Sequence, residues 1–588
     1  MSARELITEH LDLWTGAVTK KSSSGRGSNG KVELTGVKKL RELILELAVR
    51  GSLVHQDQNE EPAALLAEKI ATEKAALMQA GAIKKSPKLP QISPDEIPFD
   101  IPNGWHWIRL GELVKKIGSG ATPRGGKNAY VQSGIPFLRS QNIWNNGLSL
   151  QDVAYIPPEI HERMANTHVF PNDILLNITG ASLGRCAVVP ADLEAANVSQ
   201  HVTIIRTIDP LNRWYLHYLI LSPYVQSLVW GRQVGMAREG LSKKVLEQFE
   251  IPLPPLEEQH RIVQKVDELM ALCDRLEQQT SDQLEAHETL VDTLLGTLTQ
   301  SKNANELADN WARLAAHFDT LFTTEQSIDK LKQTILQLAV MGRLVEQDAG
   351  GEPAEDMLGQ LAELKQELIA QGLLKKERKS QPVDSEDAPY EIPESWSWCS
   401  LTDIGELARG KSKHRPRNDP SLYQDGTVPL IQTGDVARAS PWITTFSAKY
   451  NQRGVEQSRL WRPGTLCITI AANIGDTGLL SFDACFPDSV VGFTPFWSDI
   501  PPEYFEYFLR TAKQHLEDFA PSTAQKNINL EVLQKLLVPL PPVSEMTRIV
   551  QKVDELMTLC DQLKERLNQA SETRNQLAES VVEGALSS

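Results

Sequence analysis

The sequence lacks the long apolar runs that membrane insertion and secretion require. No stretch of its 588 residues approaches the roughly eighteen uncharged apolar residues of a membrane-spanning helix. The opening MSARELITEH carries an acidic residue early and has no apolar core of a secretory signal. These absences predict a cytoplasmic protein without a membrane partner.

Cysteine is scarce and unpaired. The chain has six cysteines, none in a C-x-x-C pair and none beside histidines at zinc-ligand spacing. This pattern excludes a disulfide framework and a zinc site. We therefore expect reduced, buried thiols.

The sequence also lacks the motifs of an enzyme. The methyltransferase tetrad Asp/Asn-Pro-Pro-aromatic is absent, because Ile500-Pro-Pro-Glu503 has the prolines without the polar first residue. Residues 405–412, GELARGKS, fit the phosphate-binding pattern G-x-x-x-x-G-K-[ST], but that pattern needs a helix to begin at the Lys-Ser pair. The following KHRPRNDP contains two prolines, and the corresponding residues 111–119 lack the lysine. We predict no catalytic residue, metal or cofactor in this chain.

Charge is distributed unevenly along the chain. The net charge of −16 argues superficially against nucleic acid, since a DNA-binding surface must neutralise phosphates. Residues 102–250, however, hold 14 Lys+Arg against 11 Asp+Glu, and residues 393–540 hold 14 against 16. The remaining residues carry a net −17, so the acid is concentrated outside these two segments.

Two parts of the sequence recur. Residues 40–54 match residues 331–345 at nine of fifteen positions, and residues 251–276 match residues 538–563 at nineteen of twenty-six. The segments between these matched ends align only in outline. The sequence therefore predicts two copies of a helical frame, each of which contains a dissimilar insert.

The recurring parts have helical periodicity. One apolar seam follows the four-three spacing of a heptad: Ile262, Val266, Leu269, Cys273 and Leu276. The Leu-Pro-Pro before it marks a helix start, and a helix over 257–295 would be about 58 Å long at ~1.5 Å per residue. We expect helices 257–295 and 328–372 to pair in antiparallel fashion, and the N- and C-terminal helices to form the matching pair. Ordinary core packing or a homodimer seam is the alternative.

Each insert is bounded by the same short motifs. It is entered by Pro-x-x-Trp-x-Trp, at residues 102–107 and 393–398, and left by Leu-Pro-Pro before a helix, at residues 251–255 and 538–542. This arrangement closely resembles the specificity subunit of type I restriction-modification enzymes. The long segments before residue 100 and between the inserts are similar to the subfamily with an extended N-terminal region, type IB-like.

The resemblance implies an α+β fold of two mixed α/β target-recognition domains in pseudo-twofold repeat, joined by long antiparallel coiled-coil helices. We expect five regions, the first containing a Gly- and Ser-rich flexible linker at 20–31. These regions are an N-terminal helical region 1–100, target-recognition domain 1 at 101–250, a central helical spacer 251–391, target-recognition domain 2 at 392–537, and a C-terminal helix 538–588.

The resemblance also implies function and partners. Each domain would read half of an asymmetric, interrupted target in double-stranded DNA, and the helices would set the gap. Two modification subunits that bind S-adenosylmethionine would dock on the chain, and two restriction subunits using ATP and Mg²⁺ would join them. The chain itself would be non-catalytic. Two alternatives stay open, an ATP- or metal-dependent DNA enzyme and a scaffold whose inserts bind proteins.

The strongest local charge lies in RGKSKHRPR. Its candidate DNA contacts are Arg409, Lys411, Lys413, His414, Arg415 and Arg417. Alternate residues are basic and Pro416 disfavours a helix, so the loop can lay several cations along a DNA backbone. A solvated surface run is the alternative.

A glycine-rich basic segment stands at the same place in the first insert. Its candidate DNA contacts are Lys115, Lys116, Ser119, Thr122, Arg124 and Lys127. Its backbone N–H groups could approach phosphates closely. A plain turn is the alternative.

Polar residues that suit base edges follow one apolar run in each insert. They are Arg139, Gln141 and Asn142 after GIPFL, and Gln432, Thr433 and Asp435 after VPLI. Arg pairs with guanine, Gln and Asn pair with adenine, and Asp accepts from cytosine. Strand-end capping is the alternative. Weaker candidates are Arg185, Arg238, Asn473 and Lys526.

Overall fold

The computed structural model describes residues 9–20, 32–85, 87–232, 240–302, 304–347, 352–375, 388–471, 474–518 and 528–587. The chain divides into two compact units. Unit 1 comprises Met1–Gln283 and Ala570–Ser588, and unit 2 comprises Leu284–Gln569. Among the described residues, no helix is long and apolar enough to span a membrane.

The helices of unit 1 are short except where the frame is duplicated. They are α1 Leu11–Gly16, α2 Thr35–Val49, α3 Ala63–Gln79, α4 Leu110–Leu113, α5 Pro158–Arg163, α6 Arg213–Leu221, α7 Pro223–Gly231 and α8 Lys243–Glu247. The 45-residue helix α9, Leu256–Gln300, begins in unit 1 and ends in unit 2. It confirms the helix predicted over 257–295.

The strands of unit 1 form small sheets. They are β1 Thr19–Lys20, β2 Val32–Glu33, β3 His106–Arg109, β4 Val114–Ser119, β5 Ile135–Leu138, β6 Ile143–Trp144, β7 Gly147–Leu148, β8 Ala154–Ile156, β9 His168–Val169, β10 Ile174–Asn177, β11 Cys186–Val188, β12 Ala196–Val198, β13 Val202–Thr207 and β14 Glu250–Leu253. The two four-stranded sheets have the orders β11-β10-β13-β4 and β8-β5-β12-β9, and β1-β2, β14-β3 and β6-β7 pair separately.

Unit 2 has a similar but not identical element order. Its helices are α10 Ala304–Ala316, α11 Phe318–Leu321, α12 Glu325–Val340, α13 Ala354–Ala370, α14 Leu401–Ile404, α15 Thr433–Ala437, α16 Gln452–Glu456, α17 Pro502–Asp518 and α18 Leu530–Gln534. The 45-residue helix α19, Val543–Ser587, begins in unit 2 and ends in unit 1.

The strands of unit 2 also form two main sheets. They are β15 Ser397–Ser400, β16 Gly405–Arg409, β17 Val428–Leu430, β18 Trp442–Ile443, β19 Ala448–Tyr450, β20 Leu460–Trp461, β21 Leu466–Thr469, β22 Thr477–Leu480, β23 Ala484–Cys485, β24 Val490–Pro495 and β25 Leu537–Leu540. The orders are β16-β24-β21-β22-β18 and β19-β17-β23-β20, and β15 pairs with β25. The predicted α+β fold is confirmed.

The entry and exit motifs of each insert pair with each other. Trp107 lies opposite Pro252 in the β3–β14 ladder, and Trp398 lies opposite Pro539 in the β15–β25 ladder. The apolar run before each Leu-Pro-Pro is therefore a strand that closes the base of the insert. Sequence reasoning took this run only as a helix start.

The single helix expected over 328–372 is wrong, because the structure has α12 and α13 with a turn between them. Gly342 ends α12 with φ +68°, and Arg343 N donates to Leu338 O at 2.9 Å in a C-terminal cap. A Cβ on Gly342 would lie 2.5 Å from Pro393 Cγ. Only glycine therefore fits where the chain turns beneath the insert, and Gly51 at φ +74° does the same against Pro102.

The heptad seam is buried, as the sequence predicts. Ile262, Val266 and Cys273 are each 0% exposed in the core of unit 1, where Arg41 of α2 pairs with Asp274 at 2.8 Å. In unit 2, Lys564 of α19 pairs with Asp329 of α12 at 2.9 Å. The start of each long helix thus packs on the frame helix of its own unit.

The segment before the Gly- and Ser-rich stretch is part of the core of unit 1. Trp14 of α1 is 0% exposed, Gly36 N donates to Ala17 O at 2.9 Å, and Ser571 Oγ donates to Val18 O at 3.1 Å. Within the predicted linker, residues 21–31 lie outside the described residues. Lys20 just before them pairs with Val32.

Candidate nucleic-acid interface

In unit 1, four strand ends meet at one edge of the sheets. Strand β13 begins where β4 and β10 end, because Thr203 lies opposite Ser119 and Val202 lies opposite Asn177. Strand β12 runs parallel to β5, so Val198 and Leu138 end together. The segments that leave these ends, residues 119–127, 139–149, 178–185 and 199–201, are called loop edge 1.

Backbone hydrogen bonds hold the glycine-rich segment at loop edge 1. Gly120 N donates to Val202 O at 2.9 Å, and Ala121 N donates to Val198 O at 3.2 Å. A Cβ at residue 120 would lie 2.0 Å from Val198 O, so only glycine permits this approach. Thr122 Oγ1 then donates to Gln200 Oε1. Ser119, Thr122 and Arg124 are exposed here.

Lys115 and Lys116 are an exception to the expected loop, because both lie inside strand β4. The Lys116 ammonium donates to Asn166 O at 2.8 Å, and burial lowers the pKa of this lysine. The ammonium group of Lys116 therefore makes a contact within the domain, away from loop edge 1. The basic character predicted for this loop therefore falls on its later residues.

The 139–142 turn lies beside the glycine-rich segment, and its members differ in role. Ser140 O accepts from Asn177 Nδ2 at 2.9 Å, which joins the turn to β10. Asn142 is only 2% exposed; its Oδ1 accepts from Arg139 N and its Nδ2 donates to Ser149 O, both at 2.9 Å. This geometry matches strand-end capping for Asn142. Gln141 is exposed.

A two-stranded hairpin rises from this turn. Trp144 pairs with Gly147 in the β6–β7 ladder, is 43% exposed and lies beneath the guanidinium of Arg185. It also walls an open cleft of about 350 Å³ lined by residues 146–151. Sequence reasoning missed Trp144; its only signal was an aromatic residue before two asparagines and a glycine.

Unit 2 builds the same edge with different side chains. Gly410 N donates to Val490 O at 2.8 Å, and Lys411 N donates to Phe486 O at 3.1 Å. A Cβ on Gly410 would lie 2.4 Å from Phe486 O. These contacts match those of Gly120, residue for residue. Loop edge 2 comprises residues 410–419, 432–438 and 486–489.

The basic run emerges from this close approach. Arg409 is the last residue of β16, and the basic residues from Arg409 to Arg417 are exposed except His414, which is intermediate. Arg417 forms two hydrogen bonds to Asp488, at 2.6 and 2.9 Å, and Arg415 Nη1 donates to Ser412 O and His414 O at 2.7 and 2.8 Å. The loop is thus braced by two of its own arginines.

His414 holds the other end of the loop. Its Nε2 lies 2.7 Å from Asp419 Oδ2. The Ser421 backbone N–H, and then His414, lower the pKa of Asp419 to about 2. A carboxylate that stays ionised keeps this end of the loop fixed.

The candidate base-reading residues of unit 2 also differ in role, since one is buried and another is exposed. Asp435 is 3% exposed; its carboxylate accepts from Gln432 N at 2.8 Å and from Arg438 at 2.5 Å. This is the same capping position as Asn142 in unit 1. Gln432 remains exposed at the edge, and Thr433 is intermediate.

Some of the remaining candidate DNA contacts are not among the residues that the structure describes. Arg238, Asn473 and Lys526, and the side chain of Lys127, lie outside the described residues. Residues 405–412 form strand β16 followed by an irregular loop, so no helix begins at Lys411-Ser412 as phosphate binding would require. All six cysteines are buried and free, as predicted.

Comparison with known proteins identifies the family. The profile described as the type I restriction modification DNA specificity domain matches residues 102–286 and 393–572, which include both loop edges. The chain belongs to the type I restriction-enzyme specificity subunits. This confirms the resemblance seen in the sequence.

Curated relatives of the specificity subunit span its full length. It is 35% identical to the type I restriction enzyme EcoEI specificity subunit of Escherichia coli over all of both chains. It is 34% identical to the EcoAI specificity subunit of Escherichia coli, again over all of both chains. A solved HsdS subunit from Thermoanaerobacter tengcongensis is 19% identical, with 83% of this chain and 98% of that chain covered and a TM-score of 0.44.

Two further residues of the loop edges were not singled out from the sequence. Gln200 contacts Thr122, and Asp488 contacts Arg417. Both lie in the short turn before the long central strand of their unit, far in sequence from their partners. Neither carries a motif, so only strand pairing identifies them.

Proposed function

We propose that this specificity subunit recognises an asymmetric, two-part target in double-stranded DNA. Domain 1, residues 101–250, would read one half-site and domain 2, residues 392–537, would read the other. The observation that carries the proposal is that each unit gathers exposed basic and polar side chains at one loop edge on an equivalent backbone. Because the side chains at the two edges differ, the half-sites should differ in sequence.

The residues at each edge suit two kinds of contact. Lys411, Lys413 and Arg415 can neutralise phosphates, as can Arg124 beside the N–H groups of the glycine-rich segment. Such contacts position the protein without reading sequence. Gln141 and Gln432 can donate to and accept from an adenine edge. Phosphate and base contacts would therefore come from neighbouring segments of one edge.

The long helices would set the gap between the half-sites. Equivalent contacts on one face of B-DNA recur about every 10 to 10.5 base pairs. With half-sites of about three or four pairs, centres one turn apart leave an unread gap of about six to eight pairs. The helical regions 1–100, 251–391 and 538–588 would supply this spacer.

We further propose that the chain is non-catalytic and works with partners. Two modification subunits would supply methyl transfer with S-adenosylmethionine, and two restriction subunits would supply ATP- and Mg²⁺-dependent translocation and cleavage. The family membership and the strand-and-loop geometry of residues 405–412 support this division. Purified chain alone should transfer no methyl group and cut no DNA; turnover by pure chain would contradict the proposal.

Mapping methylated adenines in a genome that carries this system tests the main proposal. We expect two unlike half-sites separated by about six to eight pairs of any sequence. A continuous or palindromic target would contradict two different domains reading at a fixed distance. Salt-dependent binding of the chain with its modification subunits to the mapped duplex would exclude a protein-binding scaffold.

A further inference from the structure

Loop edge 1 carries an arginine whose guanidinium lies over an exposed tryptophan ring. The Cζ atom of Arg185 lies 3.9 Å from the centroid of the Trp144 ring, and Trp144 is 43% exposed. Within the described chain, the Arg185 guanidinium has no hydrogen-bond or ion-pair partner. Stacking uses the face of the guanidinium and leaves its N–H groups, which lie in the plane, available to a ligand.

The platform under this arginine is rigid. Trp144 Nε1 donates to Gln141 O at 2.9 Å, which fixes the indole over its own turn. Asn142 ties both ends of the hairpin together, and Asn145 Oδ1 accepts from Cys186 N at 3.1 Å, which attaches the hairpin tip to β11. The indole is therefore held before any ligand arrives.

The backbone of Arg185 is held as firmly. Asn177 N donates to Arg185 O at 2.8 Å, and the preceding Gly184 has φ +86°. Gln226 Nε2 donates to Gly184 O at 3.0 Å. Because backbone and side chain are both positioned, little conformational entropy is left to lose when the guanidinium binds.

We propose that Arg185 reads a guanine in the major groove of the first half-site, with Trp144 as its positioning residue. The inference rests on the proposed function and names one specificity contact within it. A two-stranded β-ribbon fits the major groove, and Arg donates bidentately to guanine O6 and N7 there. The β6–β7 hairpin is such a ribbon, and its tip residues Asn145 and Asn146 are exposed.

Unit 2 contains a matched stack that lacks these properties. Arg459 Cζ lies 3.8 Å from the centroid of the Trp461 ring, but Trp461 is 2% exposed. Arg459 also donates to both carboxylate oxygens of Glu406, at 2.8 and 2.6 Å. Its charge is neutralised and its indole covered, so this stack stabilises the fold, and Arg459→Lys is the control.

The test uses the full chain assembled with its modification subunits. Competition binding to duplexes with each base pair changed in turn measures discrimination at every position. Arg185→Lys keeps the charge and loses the planar fork, so we expect discrimination at one G·C pair of one half-site to fall roughly 10- to 100-fold. The other half-site should be unchanged. Arg459→Lys should alter no position.

The tryptophan variants test the platform. Trp144→Ala should lower discrimination at that same G·C pair, and Trp144→Phe, which retains an aromatic face, should restore most of it. A purely structural role of Trp144 would instead weaken binding to all duplexes equally. Thermal unfolding of each variant is measured alongside, and transitions matching the wild type assign the change to recognition.

Two outcomes would overturn the inference. Uniform weakening with a shallower salt dependence in Arg185→Lys would identify a phosphate contact instead of base reading. Unchanged preference at every position would remove Arg185 from recognition. In both cases a wild-type complex that still reads a two-part target leaves the proposed function intact. A wild-type complex without such a target overturns the proposed function itself.

Discussion

At the base of each insert, unit 1 buries an ion pair where unit 2 places a serine opposite a leucine. Arg109 of β3 is 3% exposed, and its guanidinium pairs with Glu250 of β14, which is 1% exposed. The same ladder position in unit 2 pairs Ser400 with Leu537. The strand register is therefore equivalent in the two ladders, while the chemistry across them differs completely.

A second buried site differs in the same way. In unit 1, His217 of α6 is 5% exposed and its Nδ1 lies 3.6 Å from Cys186 Sγ of β11. In unit 2, Glu506 of α17 is 0% exposed and accepts from Thr477 Oγ1 of β22 at 3.0 Å. Burial lowers the pKa of His217 to about 4 and raises the pKa of Glu506.

These differences separate what the duplication must preserve from what it can change. The turn glycines Gly51 and Gly342, and the close approaches of Gly120 and Gly410, admit no Cβ and recur in both units. At both buried polar sites, the two partners differ between the units. The backbone is thus the common part, and the inward and edge-facing side chains distinguish the two units.

The largest effect should come from making the long helices unequal. Seven residues inserted after Gln279 lengthen α9 alone by ~10 Å, so the two domains should no longer meet their half-sites together. We expect loss of binding to the original target or selection of a different gap. The readout is binding to duplexes with gaps of varied length.

The matched control lengthens both helices. A second heptad after Arg566 of α19 should restore binding, now to a target with a longer gap. Full affinity for the original gap in the single insertion would contradict a spacer role for α9.

Replacing the buried Arg109 should have the next largest effect, in this case on stability. Arg109→Ala leaves the buried Glu250 with Arg232 as its remaining ionic partner among the described residues, and breaking such a pair costs about 3 kcal/mol. Ser400→Ala at the equivalent position removes hydroxyl contacts to Thr402 and Asp403 and should cost about 1 kcal/mol. Urea unfolding measures the loss in the free energy of unfolding of each variant, and amide hydrogen exchange shows in which unit the loss occurs. Equal costs in the two units would contradict the comparison.

Acid should affect the two units in opposite directions. His217 is neutral in the fold, so unit 1 should lose stability as pH falls from 6.5 to about 4, by at most about 3 kcal/mol at 1.36 kcal/mol per pKa unit. The pKa of Glu506 is raised, so its contribution is greatest at acid pH and is lost as pH rises through its folded value. Hydrogen exchange of α6 and α17 across this range measures both trends.

The controls are one conservative variant in each unit. His217→Gln should remove the acid sensitivity of α6, and Glu506→Gln should remove the opposite trend in α17. Identical pH profiles for wild type and variants would show that other groups govern the acid response.

The smallest effect concerns the basic loop of unit 2. Arg415→Ala combined with Arg417→Ala should weaken DNA binding modestly and equally for all sequences, and should lower the salt dependence, because phosphate contacts carry no sequence information. Assembly with modification subunits should be unaffected. Unchanged affinity would show that the basic run is an ordinary solvated surface. The expected loss also differs from that at Arg185, where we expect an effect on one base pair only.

Much of the fold was predictable because it is periodic or repeated. The apolar seam from Ile262 to Leu276 follows helical spacing and recurs at 549–563, so the burial of these side chains could be inferred from apolar spacing alone. The single helix expected over 328–372 overlooked two local helix-stop signals, Gly342 and Pro353. What local propensity does not encode is the contact of Gly342 with Pro393, fifty-one residues away, which leaves no room for a Cβ.

The candidate site was predictable by segment and only partly by residue. The glycine-rich and basic stretches lie at the two loop edges, whereas Lys116 donates inward to Asn166 O. Asn142 and Asp435 looked like base readers by type and occupy the capping turn instead. Residue type indicates what a side chain can bind, whereas strand alternation and burial decide what it faces.

The sequence by itself determined the family, the duplicated frame and the positions of its two inserts, because these depend on repeated motifs and apolar periodicity. Only the tertiary structure decided which side chains share an edge. Arg185 and Trp144 are forty-one residues apart in the chain and meet because Cys186 N, at the start of β11, donates to Asn145 Oδ1 at the tip of the β6–β7 hairpin. Such contacts between distant residues follow from the packing of one element on another, which no local pattern specifies.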